Sequence, residues 1–233
     1  NHNTKLVKFV NGLIDHKAIK KNEDWVPAFD PSDEVFFNSV SKHQLPHWQA
    51  IQAQTSNAFQ LDRQGPFPFI MDYQTPETLG ADRYAHAAWA SVHHPGKSCL
   101  VVDFGTCLTS TWINSKNQLC GGSISPGMSM RFQALHQYTA SLPLLDSMSM
   151  KPTAYPGKST HESISCGVRL GMLAELKELI RSVQRLAPDT LVAITGGDAP
   201  LFADYTETTT FVVENLNIEG FYALHKHQNC HPH

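Results

Sequence analysis

The sequence predicts an α/β protein with two lobes. Apolar segments typical of strands alternate with segments whose apolar residues recur at helical spacing, which is the pattern of sheets flanked by helices. With 233 residues, of which 41% are hydrophobic, the chain can bury one large core or two smaller ones. The formal net charge of −3 provides no electrostatic attraction for nucleic acid or for an anionic membrane. A small molecule is therefore the expected partner.

The beginning of the chain is predicted to form strands. The candidates are residues 5–10, 13–14, 35–37 and 67–70. Asn11-Gly12 is typical of a hairpin turn between the first two, and the prolines at 66 and 68 place the last at a sheet edge or a strand start. Because the chain opens in mid-sheet, we expect a preceding strand outside this sequence.

A helix is predicted next, starting at Pro76 and Glu77 and ending before Pro95-Gly96. The later elements are a buried strand, a hairpin, a glycine-rich loop, a helix, the longest helix and a last buried strand. They span residues 100–103, 110–119, 121–127, 128–142, 163–186 and 190–194. The five cysteines contain no Cys-x-x-Cys pair. The chain ends in His225, His227, His231 and His233 beside Cys230, a composition that could bind a transition metal but is expected to form a solvated tail.

The end of the strand at residues 100–103 carries the most informative local pattern. Asp103 is followed by Gly105 and by the hydroxyls of Thr106 and Thr109. Ligands of open α/β sheets bind at the carboxyl ends of strands, where glycine lets the backbone approach a phosphate and threonine can donate to its oxygens. The same residues suit an ordinary hairpin in which Asp103 accepts turn amides. Both interpretations remain open at this point.

A second candidate site lies at residues 73–83. Asp82 could orient and deprotonate a substrate hydroxyl, Arg83 could bind a carboxylate or a phosphoryl group, and Gly80 leaves room above them. The alternative is a carboxylate at a helix dipole beside a solvated arginine. Thr160, before the long helix, is expected to be its N-cap or to lie at an anion site.

Four segments in this order resemble the type III pantothenate kinase family: residues 73–83, 103–106, 121–127 and 195–198. The resemblance covers nearly the whole chain. It implies the actin-like and sugar-kinase superfamily fold, with two ribonuclease H-like lobes of mixed sheets flanked by helices. The expected lobes are residues 1–95 and 96–233, with the last helix packing back on the first lobe, and the expected assembly is a homodimer.

The resemblance also implies an activity and its residues. The activity is ATP-dependent phosphorylation of pantothenate to 4′-phosphopantothenate, the first step of coenzyme A biosynthesis. Asp82 matches the catalytic proton acceptor, Thr106 an ATP-phosphate contact, and Asp103 a ligand of an activating K⁺ or NH₄⁺ ion. The positions matching pantothenate contacts are Tyr73, Gly80, Ala81, Asp82, Arg83 and Thr160.

The chain departs from the family at its first residues. The family's first phosphate loop reads Asp-x-Gly-Asn-Thr-x-x-Lys, and Asn1 and Lys5 match its asparagine and lysine as ATP-binding residues. His2 replaces the threonine, while the glycine and the aspartate that helps place Mg²⁺ would precede residue 1. We expect that residues before Asn1 complete this loop.

Two other functions remain open. A kinase of the same fold could act on another small hydroxyl compound, and the incomplete loop is consistent with a non-catalytic nucleotide sensor. The apolar runs are too short for a membrane span, and the sequence starts without the apolar region of a signal peptide. We therefore predict a cytoplasmic protein.

Overall fold

The computed structural model describes residues 3–10, 13–21, 30, 32–37, 45–146, 155–202 and 210–230. The strands within these residues are β1 (Asn3–Val10), β2 (Leu13–Lys21), β3 (Val35–Phe37), β4 (Ala58–Gln60), β5 (Ile70–Met71), β6 (Cys99–Phe104), β7 (Cys107–Ile113), β8 (Gln118–Gly121), β9 (Ile124–Pro126), β10 (Leu191–Thr195) and β11 (Thr210–Val212). The α-helices are α1 (Leu45–Gln52), α2 (Ala81–His93), α3 (Met128–Gln137), α4 (Thr160–Leu186) and α5 (Leu216–Cys230).

The largest sheet has the strand order β11-β10-β6-β7-β8-β5, and β9 pairs with β7. β6, β10 and β11 are parallel to one another, whereas β7 is antiparallel to β6, β8 and β9. Two smaller sheets consist of the antiparallel pair β1–β2 and the parallel pair β3–β4. These mixed sheets, with helices packed against the largest, confirm the predicted α/β class.

β6 separates two hydrophobic clusters because successive side chains of a strand point to opposite faces. Leu100, Val102 and Phe104 pack with α3 and α4 on one face. Cys99 and Val101 pack with α2 and α5 on the other. Asp103 continues the second set, so its carboxylate lies on the face covered by α2 and α5.

Helix α2 begins at Ala81, so the predicted start at Pro76 is wrong. Pro76–Thr78 forms a separate 3-10 turn. Tyr84 Oη donates to the Pro76 carbonyl at 2.9 Å, and Arg63 Nη1 donates to the Leu79 carbonyl at 2.5 Å. These bonds hold the segment before Gly80 against α2, and they place Asp82 and Arg83 in the first turn of the helix.

Other predicted boundaries also shift. The strand expected at residues 67–70 is limited to β5, which is an edge strand as the prolines indicated. Phe67 and Phe69 stack with their ring centroids 5.1 Å apart and pack on Tyr84 instead of pairing. Helix α3 ends before Leu142, and α4 begins at residue 160.

The C-terminal histidines do not all lie in a solvated tail. His225 is buried on α5, 3.0 Å from Glu34 Oε2, and its ring packs against Phe36 and Phe59. The expectation was wrong because His225 faces the β3–β4 pair across the fold. His231 and His233 are outside the described residues.

The predicted hairpin at the start of the chain is confirmed, since Val10 pairs with Leu13. Its turn residues Asn11 and Gly12 are outside the described residues. The division into two lobes at residue 95 stays a prediction. Among the described residues, no helix is both long and apolar enough to cross a membrane.

Gly220 allows α5 to pack closely on α2. A Cβ built at Gly220 would overlap the backbone of Ala85. We expect Gly220→Ala to lower the free energy of unfolding by about 1–3 kcal/mol, because the overpacking outweighs the better helix propensity of alanine. Urea denaturation measures this change.

Gly167→Ala in α4 is the matched control, because a Cβ there meets no atom within 4 Å. It should raise the free energy of unfolding by about 0.5–1 kcal/mol. An equal gain from both substitutions would contradict the close α2–α5 contact.

Candidate active site

The turn after Asp103 is both a hairpin and the edge of a site. β6 and β7 pair antiparallel, with Asp103 directly opposite Thr109, and Gly105 N donates to the Cys107 carbonyl at 3.1 Å. The Asp103 side chain reaches α5, where it accepts a 2.7 Å hydrogen bond from Asn217 Nδ2. The two interpretations that the sequence left open are therefore compatible, because the hairpin positions the carboxylate.

Parallel pairing brings a second glycine turn to Asp103. β10 lies beside β6 with Thr195 opposite Asp103, and Asp198 N donates to the Phe104 carbonyl at 3.2 Å. Gly196 has a φ of +99°, and a Cβ there would meet Asp103 Oδ1 and the Phe104 backbone at 2.5 Å. Glycine is thus required by both conformation and space. Burial raises the pKa of the Asp198 carboxyl in the same turn.

His86 on α2 is a site residue that the sequence did not reveal. It is fully buried, with Nδ1 3.0 Å from Thr111 Oγ1 and Nε2 3.5 Å from Asp103 Oδ2. Asn217 was missed as well. A histidine or asparagine inside a helix carries no local signal, although the helical spacing of His86 from Asp82 and Arg83 shows that the three could share one side of α2.

Arg83 is buried and stacks on Tyr73. Its Cζ lies 5.2 Å from the ring centroid, and its Nη1 lies 3.5 Å from Tyr73 Oη. The alternative of a solvated arginine is therefore excluded, because α2 turns this side chain toward the β8–β9 loop. A Cβ at Gly122 in that loop would overlap the Ser110 carbonyl and lie 3.0 Å from Arg83 Nη2. Gly122 thus allows the loop to lie against the guanidinium.

Asp82 is half-buried in the first turn of α2, and its Oδ1 lies over Gly80. Any side chain at position 80 would displace the carboxylate. Ala81, which lies between these two residues in the sequence, is buried and is the first residue of the helix. The structure therefore brings Tyr73, Gly80, Ala81, Asp82 and Arg83 together, as the sequence predicted.

Unsatisfied polar atoms mark this region as a ligand site. Of the eight buried side-chain nitrogen and oxygen atoms without a hydrogen-bond partner among the described residues, five surround it, and such groups are costly unless a ligand satisfies them. They are Nε and Nη2 of Arg83, Nε2 of His86, Oγ1 of Thr109 and Oδ1 of Asn217. The guanidinium fits a carboxylate or a phosphate, and the oxygens beside Asp103 fit a cation.

The remaining predicted residues lie elsewhere or outside the description. Thr106 is exposed at the tip of the β6–β7 hairpin, where its carbonyl accepts from Gly127 N at 3.1 Å. Thr160 is exposed at the start of α4, on the opposite face of the sheet from α2, and it is not the N-cap. Ser159 caps the helix by accepting from Glu162 N.

Asn1 is outside the described residues, and Lys5 lies in β1 with its side chain outside them.

A family model described as type III pantothenate kinase matches residues 2–182. The chain belongs to the type III pantothenate kinase family. A type III pantothenate kinase of Cytophaga hutchinsonii is 40% identical over 186 residues, which cover 80% of this chain and 77% of the relative. One of Christiangramia forsetii is 34% identical over 224 residues, covering 93% and 90% of the two chains. Membership of a pantothenate kinase family identifies the chain as an enzyme whose reaction uses ATP and a divalent metal ion.

A solved structure supports the fold. The crystal structure of a Baf family protein from Campylobacter jejuni superposes with a TM-score of 0.61 at 22% sequence identity, covering 86% of this chain and 85% of that one. At this identity the match shows the fold alone. The match agrees with the mixed sheet and flanking helices of this chain.

Proposed function

We propose that this enzyme transfers the γ-phosphoryl group of ATP to the primary hydroxyl of pantothenate, with the start of α2 as the acceptor site. The observation that carries the proposal is the buried Arg83, whose Nε and Nη2 have no hydrogen-bond partner among the described residues and which follows the half-buried Asp82. Pantothenate has a carboxylate and a hydroxyl, and these residues offer one complementary group for each.

Arg83 binds the substrate carboxylate in this proposal. Its guanidinium is always charged, and burial strengthens its attraction for an anion. Tyr73 keeps the side chain in place by stacking, and Gly80 and Ala81 supply the backbone around the substrate. Thr160 matches a further substrate contact. Because its helix lies across the sheet, that contact requires a second copy of the chain or a rearrangement.

Asp82 accepts the proton of the pantothenate hydroxyl as the new O–P bond forms. Phosphoryl transfer depends chiefly on positioning and on neutralising charge, so an ordinary carboxylate suffices. In the first turn of α2 the negative charge is also favoured by the helix dipole. The interpretations of Asp82 as a catalytic group and as a helix-start carboxylate are therefore compatible.

Asp103 and Thr106 are proposed to contact ATP and its monovalent cation. Asp103, with the orphan oxygens of Thr109 and Asn217, suits K⁺ or NH₄⁺, and Thr106 is exposed for a phosphate contact. Mg²⁺ and the monovalent ion supply charge neutralisation on the phosphate oxygens when bound. Asn1 and Lys5 are proposed ATP contacts.

The test is an assay of the purified protein with ATP, Mg²⁺, K⁺ and pantothenate. We expect 4′-phosphopantothenate and ADP in equal amounts. ATP binding without either product, with the first phosphate loop complete, would favour the nucleotide sensor. ADP formation with a different hydroxyl compound only would favour another acceptor. Sedimentation of the same sample tests the proposed homodimer.

A further inference from the structure

We propose that His86 is a positioning residue that orients the Asp103 carboxylate and thereby sets the affinity of the cation and nucleotide site. The inference rests on the proposed function, which assigns Asp103 to that site. It adds a residue of α2, the acceptor-binding helix, to the nucleotide side of the reaction.

The His86 ring is isolated from solvent. The side chain has no exposed surface, so its two nitrogens depend on protein groups. Thr111 Oγ1 lies 3.0 Å from Nδ1, whereas Nε2 has no hydrogen bond among the described residues and faces Asp103 Oδ2 at 3.5 Å, within ion-pair distance. Because an ionised carboxylate can only accept, this contact is attractive when Nε2 carries a proton.

Two helices face Asp103 Oδ2. Asn217 Nδ2 on α5 donates to it at 2.7 Å, and His86 on α2 faces it from the other helix. This leaves Oδ1 on the side of Gly105 and Gly196, where a Cβ would lie within 3.3 Å and 2.5 Å of it. The carboxylate is therefore oriented with one oxygen toward the helices and one toward the two glycine turns.

A row of neighbouring side chains links β7 to α5. His86 is one helical turn beyond Arg83, and Thr111 is two residues beyond Thr109 on β7. The row Thr111, His86, Asp103 and Asn217 thus crosses from β7 to α5 through α2 and β6. Removing the His86 ring takes away one of the two helix side chains that face Oδ2, so the carboxylate should be oriented less firmly toward a ligand.

The test compares His86→Met with His86→Gln. Methionine has a similar length and no donor, whereas the glutamine amide can place an N–H near the position of Nε2. Calorimetry measures the binding of Mg²⁺–ATP without pantothenate, in potassium chloride and in tetramethylammonium chloride. We expect wild-type protein to bind more tightly in potassium, His86→Met to lose about tenfold of that affinity, and His86→Gln to recover most of it.

Assays of pantothenate phosphorylation with the same samples distinguish failure of the His86 role from failure of the proposed kinase function. At saturating ATP and potassium, we expect His86→Met to keep the wild-type KM for pantothenate, since Arg83 and Asp82 are unchanged. Wild-type affinity in His86→Met, or equal losses in both variants, would overturn the positioning role and indicate packing alone. Equal affinity of the wild type for Mg²⁺–ATP in potassium and in tetramethylammonium chloride would also overturn it. Product formation by that sample would leave the proposed function intact.

Discussion

Asp82→Asn is expected to lower kcat for pantothenate phosphorylation by about 100- to 10,000-fold, the range for loss of a positioned general base. Asparagine keeps the size of the side chain and its place over Gly80, but it cannot accept the hydroxyl proton. ATP affinity should remain at the wild-type value, because Asp82 lies on the acceptor side. The measurements are ADP release at saturating substrates and calorimetric ATP binding.

Asp189→Asn provides the matched control. Asp189 is an exposed carboxylate in the turn before β10, at the opposite end of that strand from Gly196, so it undergoes the same chemical change away from the site. We expect its turnover to equal that of the wild type. Near-normal turnover in Asp82→Asn would remove Asp82 from the chemical step, and a parallel loss of ATP affinity would instead indicate a disturbed fold.

Arg83→Met is expected to raise the KM for pantothenate by about 100-fold, the cost of removing one partner from a buried charged pair. The kcat at saturating pantothenate should fall much less, because the lost contact is made equally in the ground state and the transition state. Methionine retains the packing volume against Tyr73 but provides no N–H groups. Initial rates over a range of pantothenate concentrations measure the effect.

A substrate analogue sharpens this test. Panthenol carries a hydroxymethyl group where pantothenate has its carboxylate, so it lacks the proposed partner of Arg83. Wild-type enzyme should prefer pantothenate over panthenol by about 100-fold in kcat/KM, and Arg83→Met should lose that preference. Arg185→Met, at an exposed position on α4, should keep it. A preference that survives in Arg83→Met would assign the carboxylate to another group.

The residues of the proposed acceptor site could be grouped from the sequence because they are close together in it. Tyr73, Gly80, Asp82 and Arg83 fall within eleven positions, and the first turn of one helix brings the last two side by side. The expected helix start was nevertheless wrong. Pro76 is also suited to a 3-10 turn, and the bonds from Arg63 and Tyr84 that stabilise this turn come from other parts of the fold.

The nucleotide half was only partly predictable. Asp103 and the Gly196 turn each carry a local pattern of a strand followed by glycine, and both occur at the predicted strand ends. That they meet depends on the parallel pairing of β6 with β10. The partners of Asp103 could not be found this way, because Asn217 is 114 residues away and His86 lies in a different element.

The sequence by itself determined the α/β class, the family and the order of most elements, and it supplied the proposed acceptor residues, since hydrophobic periodicity and short motifs act over a few neighbouring positions. Tertiary structure decided which face of β6 carries Asp103, that Arg83 is buried, and that His86 and Asn217 flank the carboxylate. Those outcomes depend on packing α2 and α5 against one face of the sheet, where residues distant in the chain must satisfy one another's polar groups.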